Sequence, residues 1–196
     1  MGLMVKGNSK LGPEVGIFNL PPIKTCTPSD WCLHGGKDGK PMCYALRGKH
    51  PLPNVVAANK RKLKESKRKD FVQRVVKEIK GRFSYVRIHA SGDFYSDEYV
   101  QKWIDIAKQG PDILFIAFTK RRDLTESIRE LNRLPNVNIR ESLDKSRPKP
   151  EMGLKFSFIN HSAPPRRKTV IDCHESCPEC GYSCWVKTHD VILHEH

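Results

Sequence analysis

Six consecutive apolar residues, Ile113, Leu114, Phe115, Ile116, Ala117 and Phe118, stand in an otherwise strongly charged chain. A strand with one wet face alternates apolar and polar residues. An unbroken apolar run of strand length instead fits a strand covered on both faces, as in a parallel sheet under helices. Residues 15–20, 85–90, 137–142 and 155–160 read as further strands. Between them, 54–80, 96–108 and 124–134 carry apolar residues at helical spacing, most clearly Phe71, Val72, Val75, Val76 and Ile79, then Tyr99, Val100, Trp103, Ile104 and Ala107. Asn54 is placed to cap the first of these segments, read as one long helix to Lys80. Repeated β-α units wind right-handedly into a parallel sheet, which fits neither a helix bundle nor a β-sandwich. With 196 residues there is no room for eight full repeats, so the expected fold is α/β, a partial, half-open parallel β/α barrel.

The chain has seven cysteines in two groups: Cys26, Cys32 and Cys43, then Cys173, Cys177, Cys180 and Cys184, with none in the 129 residues between. Residues 1–10 lack the apolar core of a secretory signal, and no run approaches the ~20 apolar residues of a membrane span. A cytoplasmic chain with no membrane partner is therefore expected, in a compartment where thiols stay reduced. An odd number of thiols also argues against a fully paired disulfide framework. Cys173-x3-Cys177-x2-Cys180-x3-Cys184 is compact enough to converge on one centre, either zinc or a [4Fe–4S] cluster. The first group has three thiols; His34 and His50 lie near enough in sequence to complete a zinc site, whereas a three-thiolate cluster would leave one iron open. The domains expected are 1–162, an α/β partial barrel with an N-terminal cysteine loop, and 163–196, a basic linker and a small cysteine-rich metal-binding module.

In parallel α/β folds, ligands bind beyond the carboxyl ends of the strands. Polar groups gather there: His89, Ser91, Gly92 and Asp93 after one strand, Thr119, Lys120 and Arg121 after the next, Glu141, Ser142 and Asp144 after the third, and Asn160, His161 and Ser162 after the fourth. Jointly they describe a pocket rim, although Asp93 also stands where an acid would cap the helix starting near Ser96.

Phe18-Asn19-Leu20-Pro21-Pro22, Thr25-Cys26, Cys43-Tyr44-Ala45, Arg87-Ile88-His89-Ala90-Ser91-Gly92-Asp93-Phe94 and Cys177-x2-Cys180-x3-Cys184-Trp185 resemble the gene-product-eighty-eight family of phage and prokaryotic proteins over most of the chain. Members of that family space the first cysteines more tightly, and residues 33–42 depart from their pattern. More distantly, a cysteine triad after a first strand, an aromatic beside its last cysteine, a helix and a strand ending in Gly-acid are similar to radical S-adenosylmethionine enzymes. That similarity implies an open [4Fe–4S] cluster on Cys26, Cys32 and Cys43 and S-adenosylmethionine bound through its amino group at Gly92 and Asp93. Ser91, Thr119, Lys120, Glu141 and Ser142 join the cofactor-binding set, and Asp93 and His89 are the catalytic candidates. The usual triad spacing, x3 then x2, occurs here only at Cys173, Cys177 and Cys180, so the tail is read as a second cluster or a zinc site.

Lys and Arg number 35 against 22 Asp and Glu, a net charge of +13. Lys60, Arg61, Lys62, Lys64, Lys67, Arg68 and Lys69 crowd ten positions, and Arg166-Arg167-Lys168 precedes the tail cysteines. Such a balance favours polyanionic partners, here a nucleic acid or nucleotide substrate, beside the electron donor that a radical enzyme needs. The expectation is thus an iron–sulfur enzyme of the radical type. The alternative is a non-catalytic, zinc-stabilised nucleic-acid-binding protein, and a third reading is a metal-dependent hydrolase using His89, Asp93 and His161.

Overall fold

The computed structural model describes residues 2–159, 170–173, 176–185 and 189–193. Its centre is one eight-stranded sheet. A two-residue strand, β1 (Val5–Lys6), runs antiparallel to β2 (Val15–Phe18). From β2 the sheet is parallel and follows chain order through β3 (Tyr85–Ile88), β4 (Leu114–Thr119), β5 (Val137–Leu143) and β6 (Lys155–Ile159). β8 (Asp190–Leu193) pairs with β6, and β7 (Val170–Cys173) forms the far edge, both parallel to their neighbours. Because β2 to β6 are added in one direction, all their carboxyl ends meet at one edge of the sheet.

Alternation along each strand sorts the two faces. Phe18, Val86, Ile88, Phe115, Ala117, Val137 and Ile139 face the helices in one core. The helices on that face are α2 (Pro53–Ser66), α3 (Phe71–Ile79), α4 (Asp97–Gln109) and α5 (Thr125–Asn132), while the short α1 (Asp30–His34) lies outside this core. In α3, Phe71, Val75, Val76 and Ile79 make the buried stripe. In α4, Tyr99, Val100, Trp103, Ile104, Ile106 and Ala107 do the same. Each large apolar side chain so buried contributes roughly 1.5–3 kcal/mol. α4 starts at Ser96, whose hydroxyl accepts from the Tyr99 amide, with Asp97 and Glu98 in the positive first turn. α3 packs on α4, and α4 on α5.

The tail covers part of the opposite face. Val15, Ile17 and Ile116 pack there with Leu11, Cys177, Tyr182 and Trp185. Tyr182 stacks on Tyr85 at 3.8 Å between ring centres, and Trp185 meets Tyr85 edge-on. Residue 162 is therefore no boundary of the sheet: β7 and β8 lie beyond it yet extend the same sheet as β6. The long helix expected over 54–80 is two helices, α2 and α3. Lys67, Arg68 and Lys69 offer no apolar residue to bury, and the chain turns there under an Arg68–Asp70 ion pair. α2 begins at Pro53, whose fixed φ suits a first helical position, rather than under an Asn54 cap. Asn160, His161, Ser162 and the basic group at 166–168 lie outside the described residues. No described helix is long and apolar enough to cross a membrane.

Candidate functional site

A cavity of about 600 Å³ lies on the face of the sheet opposite α2 to α5, with α1 among its walls. Its walls come from both edges and from the middle of the sheet: Val5 and Ile17 on one side, Cys173 and Leu193 on the other, with Arg87, Ile116 and Phe118 between. Cys26, Cys32 and Cys43 line it near the strand tips, and Cys173, Cys177 and Cys184 line it from the tail. Six of the seven thiols thus face one space, of the size in which small molecules bind, while Cys180, its Sγ 3.4 Å from the Cys177 carbonyl, is not part of the lining.

The first group is placed by hydrogen bonds. Ser29 caps α1 by accepting from the Cys32 amide at 3.2 Å, and its hydroxyl donates to Asp144 at 2.6 Å. Buried Asp144 also receives Lys120 Nζ at 2.8 Å and the Ser146 and Arg147 amides, while the Trp31 amide donates to Ser146 Oγ. The Cys32 thiol lies 3.9 Å from the same carboxylate. Residues 33–42, long for a ligand spacing, form a side loop. The amides of Met42 and Cys43 both donate to the Cys32 carbonyl at 3.1 Å, so the loop closes and Cys43 returns beside Cys32.

Cys26 is held from the other side. Thr25 Oγ1 donates to the Pro21 carbonyl and accepts from the Asp93 amide at 3.2 Å. Asp93 is buried, and its carboxylate takes three donors: Thr119 Oγ1 at 2.8 Å, the Phe94 amide at 2.8 Å and the Lys120 amide at 2.9 Å. It therefore ties the end of β3 to the end of β4, and Ser96 instead caps α4. A carboxylate has about four acceptor positions, so one remains. Burial pushes Asp93 up to about 6 against these hydrogen bonds. Gly92 has φ +84°, and a Cβ there would lie 2.6 Å from Leu20 Cβ and 2.7 Å from Thr25 Oγ1. Only glycine lets the 89–93 turn approach the Cys26 loop this closely. Asn19 Oδ1 accepts from the Ala90 and Ser91 amides, and Ser91 Oγ donates to the Leu20 carbonyl.

The other expected site residues divide. Ser91, Gly92, Asp93, Lys120 and Ser142 line the cavity, and so does His89. The His89 ring, however, is packed among Phe18, Phe94, Tyr99 and Trp103, with Nε2 2.9 Å from the Tyr99 hydroxyl. Burial drives it down to about 3, so it is neutral. Thr119 reaches the site only through Asp93. Glu141 is buried away from it, receiving Arg122 Nε and the Glu151 and Met152 amides, and holds the loop after β5.

Sequence reasoning missed Arg87, Asn138 and Arg140. All three are polar positions alternating with apolar ones inside strands, the pattern of a wet interior face. Asn138 and the fully buried Arg140 donate to the Cys184 carbonyl, at 2.8 and 2.7 Å, and fasten the tail to the sheet.

Burial raises the thiols of Cys43, Cys173 and Cys177, and pushes Cys26 and Cys184 up to about 12. At Cys26 the neighbouring Asp93 adds to the burial, and at Cys184 Arg140 opposes it. Among the described residues no three His, Cys, Asp or Glu side chains close on a single metal position. The donor chemistry still suits a soft cation, because a bound metal offsets the burial that keeps these thiols protonated.

The fold and the site together define an α/β protein with a thiol-lined cavity on the open face of a singly wound sheet. The chain matches the family model described as Gene product 88 over residues 3–188, and it belongs to that family. No curated protein and no solved structure matches it.

Proposed function

We propose that this chain is an iron–sulfur enzyme of the radical S-adenosylmethionine type, its sheet curled as a half-open barrel around the cavity. One observation carries the reading: three thiols on the loop leaving β2 line the same cavity as the strand-tip residues 91–93. Cys26, Cys32 and Cys43 would hold an open [4Fe–4S] cluster, and Cys173, Cys177, Cys180 and Cys184 a second cluster or zinc. When bound, an open cluster supplies a low-potential electron to a sulfonium ligand.

The chain's own residues do the rest. Asp93, fixed by three donors and facing the cavity, has one acceptor position for an ammonium group. Gly92 lets backbone approach closely. The apolar walls Ile17, Ile116 and Phe118 exclude water from the reacting centre.

Anaerobic purification tests this through iron, acid-labile sulfide and absorbance near ~400 nm. About four iron and four sulfide should be lost in the Cys26→Ala, Cys32→Ala, Cys43→Ala variant. Colourless protein holding zinc alone would overturn the reading. It would favour the second one, a zinc-stabilised nucleic-acid binder, whose supporting observation is the exposed Lys60, Lys64, Lys67, Arg68 and Lys69 on and just after α2. Affinity of that kind falls steeply with salt.

A further inference from the structure

Arg87 lies in the middle of β3, beside Ile17 of β2 and Ile116 of β4 in the pairing register. A guanidinium there breaks an otherwise apolar row. Its centre sits 5.0 Å from the middle of the Phe118 ring, and its Nε is buried with no hydrogen-bond partner. Among the described residues Arg87 makes no ion pair. The acid that lines the cavity among the described residues is Asp93, which is engaged with Thr119, Phe94 and Lys120. Of the other cations lining the cavity, Lys120 is paired with Asp144, and Lys6 and Lys10 belong to its β1 side.

An arginine with a buried, unsatisfied N–H is costly to keep unless something pairs with it. Its planar fork matches carboxylate and phosphate oxygens two at a time, and stacking on Phe118 restrains that plane. The surroundings are apolar: Ile17, Ile116, Phe118 and Trp185. We infer that the cavity binds a small organic anion, with a carboxylate or phosphomonoester on Arg87 and an apolar body against these walls. The site stands whether or not the thiols carry a metal.

Calorimetric titration at constant ionic strength tests it with 4-phenylbutyrate, phenyl phosphate and the neutral 4-phenylbutan-1-ol. The wild type should bind at least one of the anions about ten-fold or more tighter than the alcohol, as a charge-assisted pair requires. Preference for the butyrate assigns a carboxylate ligand, and preference for the phosphate assigns a phosphomonoester. Arg87→Gln should abolish the preference and Arg87→Lys retain part of it. Anions that bind no tighter than the alcohol, or a preference that survives Arg87→Gln, would overturn the assignment. Should Arg87→Gln fail to fold, phenylglyoxal labelling of the wild type decides. The saturating anion should slow modification of Arg87 several-fold where the alcohol does not, and equal labelling rates would refute the site.

Discussion

The two thiol groups face one cavity but are held there by different forces. The tail is fixed by packing: Tyr182 and Trp185 sit in a core with Val15, Ile17 and Ile116, and Asn138 and Arg140 clasp the Cys184 carbonyl. The first group, although it carries the buried Trp31, depends more on polar tethers, Ser29 and Lys120 to Asp144, the Trp31 amide to Ser146, and Thr25 to Asp93. Burial of a large aromatic is worth several kcal/mol, whereas one hydrogen bond nets about 1. The charges differ as well, with a carboxylate beside Cys26 and a guanidinium beside Cys184. The tail therefore contributes mainly to the stability of the fold, and the rim loop contributes mainly to the geometry of its thiols. A rim held by directional bonds has less apolar burial to oppose local opening.

The sharpest way to break this contrast is Trp185→Ala. Trp185 is nearly fully buried against Tyr85 and Tyr182, and its truncation should cost about 3–5 kcal/mol in urea unfolding. A loss under about 1 kcal/mol would mean that the tail rests on the sheet without being packed into it.

A second test concerns the buried groups under the rim, whose pH dependences oppose each other. His89 is held at about 3, below an unfolded value of about 6.5, so its neutral form is favoured by folding. It costs stability as pH falls from about 6.5 towards about 3, at ~1.4 kcal/mol per unit. Asp93 is raised to about 6 from about 3.9, so folding favours its protonated form. Its contribution is complete below about 4 and is lost as pH rises to about 6, at the same ~1.4 kcal/mol per unit. Between about 4 and 6 the two slopes cancel. In His89→Gln the Asp93 slope is no longer offset by His89, and stability relative to wild type should fall by roughly 3 kcal/mol as pH rises from about 4 to about 6. Urea unfolding at successive pH values reads this directly, and parallel curves for wild type and variant would show that His89 titrates normally.

The strands and helices that cover the sheet were legible because their burial is written in periodicity. Ile113 to Phe118 reads as a two-sided strand, and the stripe from Phe71 to Ile79 reads as a helix face. The break at Lys67–Asp70 was not legible, because the helical period runs on across it. β7 and β8 were missed since Val170 and Ile171 or Val191 and Ile192 are too few to show a period, and only the sheet edge supplies their partners. At the site, the strand-tip cluster from Ser91 to Asp93 was readable as a rim. The side each residue faces was not. His89 and Glu141 sit at strand ends like their neighbours, but they turn into packed surroundings that only the folded chain reveals. The return of Cys43 beside Cys32 was hidden for a similar reason, because a ten-residue loop closed by two amides leaves no signature in composition.

Gly92→Ala probes the seam where the rim meets the sheet. The new methyl would meet Leu20 and Thr25, both part of the loop that carries Cys26, at a backbone φ of +84°. Strain of this kind costs on the order of 1–3 kcal/mol. The Thr25–Asp93 bond is the nearest contact able to yield, so Cys26 should become more accessible to alkylation as thermal stability drops. Unchanged alkylation and stability would show that the seam is looser than its distances state.

Ser29→Ala should have the smallest effect on stability and separates the two regions most cleanly. It removes the cap of α1 and one donor to Asp144, a loss of about 1 kcal/mol, or about 2–4 °C in Tm for a chain of this size. Lys120 and the Ser146 and Arg147 amides still satisfy Asp144, so the core has no reason to loosen. Cys32, by contrast, loses the bond that fixes its amide. Hydrogen exchange should therefore quicken across residues 30–43 while the amides of β3, β4 and β7 keep wild-type protection. Exchange that quickens equally in β7 would place the rim and the tail in one cooperative unit, and the distinction between a packed thiol group and a tethered one would fall with it.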